Sequence, residues 1–260
     1  QAGTGTISGT VYAPGGVTPV PNVFVIGYND TYSTTWLCSD ASGQYTLPAV
    51  PLDAPMHVEV WGYYDCFGQT LPYTHQYWQN QDYSELAGFV TATAATPNVS
   101  NVNFTMKQAG YISGTVYQPD GTTPLSGVTL LAYDYFSGYY ATDISSDTDG
   151  TYTLHVPTGT YRIRMSDPDY ATQYYDGHVV YADADPVAAT VGATTPGIDF
   201  VAYVSGISGT VYLPDGVTPL ANAYVYAADA LTWDFAGSTY TDSGGHYQIN
   251  VPPGTYHVVF

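Results

Sequence analysis

The hexamer Ile7-Ser8-Gly9-Thr10-Val11-Tyr12 returns as Ile112-Ser113-Gly114-Thr115-Val116-Tyr117 and again as Ile207-Ser208-Gly209-Thr210-Val211-Tyr212. From position 7 to 112 is a step of 105 residues, and from 112 to 207 a step of 95. Identical copies at near-constant spacing mark a tandem array, with units of about 100 residues, each long enough to bury its own core. The spacing divides the chain into residues 1–108, 109–204 and 205–260. Small, β-branched and apolar residues alternate around the hexamer, which predicts the first strand of every unit. The punctuation after it repeats as well. Pro119-Asp120-Gly121 and Pro214-Asp215-Gly216 precede Thr123-Pro124-Leu125 and Thr218-Pro219-Leu220. Asp147-Thr148-Asp149-Gly150 and Asp242 to Gly245 follow, then Val156-Pro157-Thr158-Gly159-Thr160-Tyr161 and Val251-Pro252-Pro253-Gly254-Thr255-Tyr256. Each is a turn by its Pro, Asp and Gly content.

Between the turns lie short runs with strand character. In unit one they cover 4–13, 23–28, 34–38, 44–47, 57–63 and 102–106, with one more short strand in the aromatic stretch 64–82. In unit two they cover 111–117, 128–134, 139–143, 151–155, 159–165, 171–175 and 197–202. Val102, Phe104 and Met106 alternate with Asn103 and Thr105, so this closing strand has one buried face, and Ile198, Phe200 and Ala202 take the same places in unit two. No segment sustains a helical period, and 84–88 is at most one helical turn. Many short strands with Gly and Pro turns predict an all-β chain of sandwiches. The linkers 106–110 and 203–206 are short, which predicts a semi-rigid rod. Phe260 aligns with Met165, so counterparts of 166–204, closing strand included, are missing and the third copy is incomplete. Three readings stay open: a fragment of a longer array, a remainder that is not represented, or a strand from a neighbouring molecule filling the gap.

Formal net charge is −19, with three basic residues, Lys107, Arg162 and Arg164, against 22 acidic ones. That excludes nucleic acid as a partner, because phosphates need Lys and Arg, and it argues against anionic membrane surfaces. Apolar residues make up 45 % and aromatics 15 %, which a disordered chain lacks. No apolar run reaches the roughly 18 residues of a membrane-spanning helix, so no membrane insertion is expected. The first residue is Gln1 rather than Met, which suits a cleaved mature end or a fragment. With the acidity, this predicts an extracellular, secreted or cell-surface protein. Cys38 and Cys66 both fall in unit one, pointing to a local disulfide in an oxidising compartment, with two reduced buried thiols as the alternative.

The pattern ISGTVY-x-PDG-x-TPL, D-x-x-G-x-Y, VP-x-GTY resembles the carboxypeptidase regulatory-like family, a transthyretin-type (prealbumin-like) seven-stranded sandwich. The tail of unit two, Tyr170 to Gly177 and Thr194 to Phe200, resembles long tandem versions in bacterial secreted and surface proteins. The resemblance implies tandem seven-stranded sandwiches, no catalysis, and a role as spacer, stalk or adhesive module. Unit one departs most: Pro14-Gly15-Gly16 replaces PDG, Val50 to Pro55 replaces VP-x-GTY, and it alone has cysteines.

No constellation supports catalysis. The histidines, His57, His75, His155, His178, His246 and His257, show no metal-ligand spacing, and His155 and His257 are expected to face outward. Asp147 and Asp149 resemble the start of a calcium loop, but a polar β-turn is the stronger reading, so no cofactor is expected. Glu59 and Glu85 are the only glutamates, and the aspartates cluster in turns, which leaves no glycosidase pair. Sequons at Asn29, Asn98 and Asn103 make surface glycosylation a hypothesis, strongest at Asn29. Aromatic clusters in unit one are contact candidates. Assembly is expected to use Tyr73, Tyr77 and Trp78, together with the edge from Tyr256 to Phe260. The resulting expectation is an extracellular structural protein, a rod of sandwiches self-associating into a fibre, stalk or filament. A carbohydrate-binding or adhesive module, with glycans as partners, and an accessory region of a secreted hydrolase are the alternatives.

Overall fold

The computed structural model describes residues 3–203, 206–251 and 254–260. The first two hexamers lie within the strands Thr4–Tyr12 and Gly110–Tyr117, and the third begins in Gly206–Thr210, with Val211 and Tyr212 beyond its end. The protein is all-β, built of tandem β-sandwiches. In unit one, Thr4–Tyr12 pairs antiparallel with Gln44–Pro51 and parallel with two fragments, Asn98–Val99 and Phe104–Thr105. The facing sheet runs Leu37–Cys38, Val23–Tyr28, Pro55–Asp65, and both Gln76–Tyr77 and Val90–Thr91 pair with the far edge of Pro55–Asp65. Unit two repeats this with Thr151–Val156, Thr194–Thr195 and Phe200–Val201 around its first strand, and Tyr140–Ser145, Thr129–Asp134, Gly159–Ser166, Gln173–Tyr174 and Val187–Ala189 opposite. Taking each pair of fragments as one strand makes both units seven-stranded.

Unit three holds Gly206–Thr210 against His246–Asn250, and Tyr224–Asp229 between Phe235–Tyr240 and Tyr256–Val259. Among the described residues nothing pairs with the other edge of Gly206–Thr210. Its core is correspondingly small: Val211, Val225, Ala227, Ala236, Ile249 and Val251, with no counterpart of the buried Phe104 and Phe200. The turn expected at 251–254 includes Pro252 and Pro253, and the linker and unit boundary at 203–206 include Val204 and Ser205; these four lie outside the described residues.

The closing strand is shorter than expected. Val102, Phe104 and Met106 are buried as their alternation requires, but only Phe104–Thr105 is a strand. Asn101 turns the chain at φ 64°, and the Thr10 amide donates to Asn103 Oδ1 at 2.9 Å rather than to a backbone carbonyl. In unit two Gly197 (φ 79°) and Asp199, which accepts from the Thr115 amide at 2.8 Å, do the same.

That crossing explains the central glycine of the hexamer. A Cβ on Gly9 would sit 1.9 Å from the Val102 carbonyl oxygen, and one on Gly114 would sit 2.0 Å from that of Ile198. The same carbonyls accept hydrogen bonds of 2.5 Å from the buried hydroxyls of Tyr45 and Tyr152. At Gly209 a Cβ would meet only the ring end of Tyr247, 2.7 Å from its hydroxyl. Gly9→Ala and Gly114→Ala are therefore expected to push the closing strand away and destabilise their units by about 1–3 kcal/mol, the usual range for overpacking. Gly209→Ala is expected to stay within about 0.5 kcal/mol of the parent, as Tyr247 swings aside. Urea titrations of the three variants check this, and equal losses at all three positions would overturn it.

Candidate functional site

Two features stand out: the joint between units one and two, and the outer face of the sheet that holds Val23–Tyr28 and Pro55–Asp65. At the joint, the segment after Pro55–Asp65 folds onto unit two. The Ala109 amide donates to the Pro72 carbonyl at 2.9 Å, and the Thr74 amide to that of Lys107 at 3.0 Å. Lys107 forks onto Asp82 at 2.9 and 2.8 Å, and the Tyr83 hydroxyl donates to Asp134 at 3.3 Å, with its ring 5.8 Å from Tyr139. His155 is not outward-facing as expected. It is 9 % exposed, covered by Tyr63 at 6.2 Å and by the edge of Tyr111 at 4.9 Å. Burial lowers its pKa, and the nearby backbone of Tyr73 and Leu71 only partly offsets that. A cavity of about 520 Å³ opens beside it, walled by Tyr64 and Leu71 from unit one and by Tyr111, Asp147 and Tyr152 from unit two.

The second joint reuses these positions. Asn250 is one step of 95 beyond His155, Pro168 is one step of 105 beyond Tyr63, and Asn250 Nδ2 donates to the Pro168 carbonyl at 3.4 Å.

On the outer face, His57, Arg162 and His257 follow one another at 105 and 95 residues, the hexamer's own steps. Each is held against aromatic rings. His57 stacks on Tyr28 at 5.5 Å and touches Phe89 at 4.4 Å. The Arg162 guanidinium lies 3.8 Å from the Tyr135 ring and 4.5 Å from that of Tyr181. His257 stacks on Trp233 at 4.2 Å. For Arg162, cation–aromatic packing lets the charged group sit on a sheet without a carboxylate partner.

Glu59, two residues on from His57, points to the same face yet is only 7 % exposed. Trp61 Nε1 donates to its Oε1 at 3.1 Å, His75 Nε2 lies 3.4 Å from Oε2, and His75 stacks on Tyr77 at 4.9 Å. Burial pushes the Glu59 carboxyl up, but His75, Trp61 and Tyr28 together outweigh it and hold it below its ordinary value. Beside it, Trp36 packs edge-on against Trp61 at 4.9 Å and Phe24 at 6.1 Å, and these three line a shallow apolar cleft.

Several expected sites look different in place. Tyr77 is 4 % exposed, Tyr73 is half-buried with its amide on the Gly62 carbonyl, and Trp78 packs on Phe104 at 6.1 Å. The run Tyr73, Tyr77, Trp78 is therefore engaged in unit one's own packing, with Tyr77 buried and Tyr73 and Trp78 half-buried against the core. Tyr256 packs against the core of unit three, while Phe260 is exposed. Asn29, the favoured sequon, is half-buried, and its Nδ2 donates to the Pro55 carbonyl at 3.2 Å. Asn98 and Asn103 are exposed, and each uses only its Oδ1. Asp147 to Gly150 is a closed turn, with the Asp149 carboxylate accepting from the Thr151 amide and hydroxyl at 3.1 and 2.6 Å. His178, which shows no metal-ligand spacing in the sequence, comes together with Asp176 and Asp185, their ligand-type atoms within 4.8 Å; the group is largely exposed, and nothing else around it points to an ion. Cys38 and Cys66 form a disulfide.

Comparison with known proteins finds the carboxypeptidase regulatory-like domain over residues 111–196. No significant match appears among curated proteins. Among solved structures the chain is similar to the Bacillus anthracis TIE protein, at 14 % identity and a TM-score of 0.29, covering 98 % of this chain and 44 % of that one. It is similar to the Streptococcal ancillary pilin at 11 % identity and a TM-score of 0.31, covering 98 % and 88 %. It is also similar to the shaft pilin SpaA from Lactobacillus rhamnosus GG, at 13 % identity and a TM-score of 0.32, covering 79 % and 99 %. The chain thus spans less than half of the first of these, and scores this low say nothing about its own partners.

Proposed function

We propose that this chain, whose middle unit matches the carboxypeptidase regulatory-like domain, is an extracellular structural protein whose sandwiches are joined into a stiff segment of a surface fibre, stalk or filament. The observation that carries this is the joint. The Ala109–Pro72 backbone hydrogen bond and the Tyr83–Asp134 contact tie units one and two without a free linker, the Lys107–Asp82 ion pair fastens the end of unit one beside them, and positions 155 and 63 are reused at 250 and 168. A repeated joint sets a repeated angle, and a fixed angle is what a load-bearing segment requires. The disulfide fits an oxidising compartment. High negative charge keeps single copies apart until a specific contact forms. The acids that are buried or hydrogen-bonded serve structure: Glu59 is clamped, and Asp40, Asp120, Asp215 and Asp242 cap turn amides, which leaves a catalytic reading without support. Unit assignments at 1–108, 109–204 and 205–260 belong to this proposal, as do self-association and the exposed Phe260 as a contact.

Small-angle scattering with negative-stain microscopy tests it. The expected result is an elongated particle whose inter-unit distances stay single-valued, and filaments at high concentration. A broad distribution of inter-unit distances, or only isolated short rods at every concentration, would count against it.

A further inference from the structure

The cavity at the first joint is a candidate binding site, and its lining says for what. Units one and three use the first aspartate of the turn to cap its amides: Asp40 Oδ1 accepts from Ser42 and Gln44 at 2.8 and 2.9 Å, and Asp242 Oδ1 from Gly244 and His246 at 2.8 and 2.9 Å. In unit two that task passes to Asp149, which accepts from Thr151. The Asp147 carboxylate is thereby released from internal hydrogen bonding and lies in the cavity wall. His155 also lies in the cavity wall, 9 % exposed. Tyr64, Tyr111 and hydroxyls such as Ser145 and Thr153 complete the wall, and the lining contains no Lys or Arg.

We infer that this joint binds a neutral saccharide of one or two rings. A carboxylate takes two neighbouring hydroxyls, a neutral imidazole takes a third, and tyrosine faces take the C–H side of a sugar ring. The absence of a cation in the wall disfavours acidic ligands, and the hydroxyl-rich lining disfavours purely apolar ones. A volume near 520 Å³ is in the range of small-ligand pockets. Because both units supply the wall, occupancy also stiffens the joint. The inference is independent of the fibre reading, since a chain that never assembles still has this cavity.

The test uses the whole chain. Maltose, cellobiose, lactose, mannobiose and chitobiose are titrated by saturation-transfer NMR and calorimetry, with glucuronic acid and glucosamine as charged controls. The expected result is millimolar or tighter binding of at least one neutral disaccharide, at least tenfold weaker in Asp147→Ala. That variant is expected to unfold at the parent's temperature, because the carboxylate has no internal partner. A second variant, Tyr64→Ala, is expected to weaken the same sugar. No binding by any neutral disaccharide, binding unmoved in both variants, or preference for a charged control would each overturn the proposal.

Discussion

Replacing Cys38 and Cys66 with serine is expected to lower the stability of unit one by about 3.5 kcal/mol, from the loop-closure entropy of a cross-link separated by 28 residues. The reason unit one needs this cross-link lies in its edge strand. Units two and three carry six-residue strands there, Tyr140–Ser145 and Phe235–Tyr240, while unit one has only the two residues of Leu37–Cys38. Four residues' worth of ladder is absent, and residues 29–36 form a loop that carries the exposed Trp36. Cys38 pairs with Phe24 on one side of the strand Val23–Tyr28, and Cys66 follows Asp65, which pairs with Val23 on the other. The bond therefore ties both neighbours of that strand together at one end, where the short ladder cannot. For a unit of this size the loss corresponds to a fall of roughly 15–25 °C in the unfolding temperature. Calorimetry of the double variant should show one transition moving and those of the other units unmoved; reductant should have the same effect on the parent. If no transition moves by more than a few degrees, the cross-link is not what replaces the missing ladder.

Much of this was legible before the coordinates. The hexamer marked the three first strands, and its steps placed most of the turns and the buried positions of the closing strands. The alternation of Val102, Phe104 and Met106 was enough to name a buried face. Four short strands, Val90–Thr91, Asn98–Val99, Val187–Ala189 and Thr194–Thr195, escaped because Ala, Thr and Asn over two or three residues carry no periodic signal. The outer face escaped for another reason. Its histidines were weighed for metal-ligand spacing, whereas the informative spacing was that of the array: His57, Arg162 and His257 keep the hexamer's steps. Tyr77 and His155 were misplaced because period-2 patterning tells which side of a strand a residue faces, and not whether a loop or the next unit covers that side. The joint depends on tertiary contacts between segments far apart in sequence, and no local pattern encodes them.

Removing His75 should destabilise unit one by about 3 kcal/mol at neutral pH, the cost of leaving a buried charge without its partner. The carboxylate of Glu59 is 7 % exposed, and His75 Nε2 is 3.4 Å from it. Burial alone would raise the Glu59 pKa; His75 is the foremost of the groups that reverse this, ahead of Trp61 and Tyr28. The sign of the pH dependence follows. With its folded pKa below the unfolded value of about 4.3, Glu59 contributes stability that is complete above that value and is lost as pH falls through the folded one. In His75→Ala the burial penalty prevails and the folded pKa rises, so the carboxyl protonates readily in acid and the unpaired charge disappears. The penalty of the substitution is thus expected to be largest at pH 7 and to shrink as pH falls and the unpaired carboxyl of the variant takes up a proton. Glu59→Gln should lose less than about 1.5 kcal/mol at pH 7, since an amide oxygen still accepts from Trp61 Nε1 and no charge is left buried. It should also abolish the pH dependence of the His75→Ala effect in the double variant. Urea titrations at pH 7, 5 and 3 measure all three. A His75→Ala penalty that is the same at every pH would mean that the imidazole only fills space beside Tyr77, and that the buried carboxylate is held by Trp61 and Tyr28 instead.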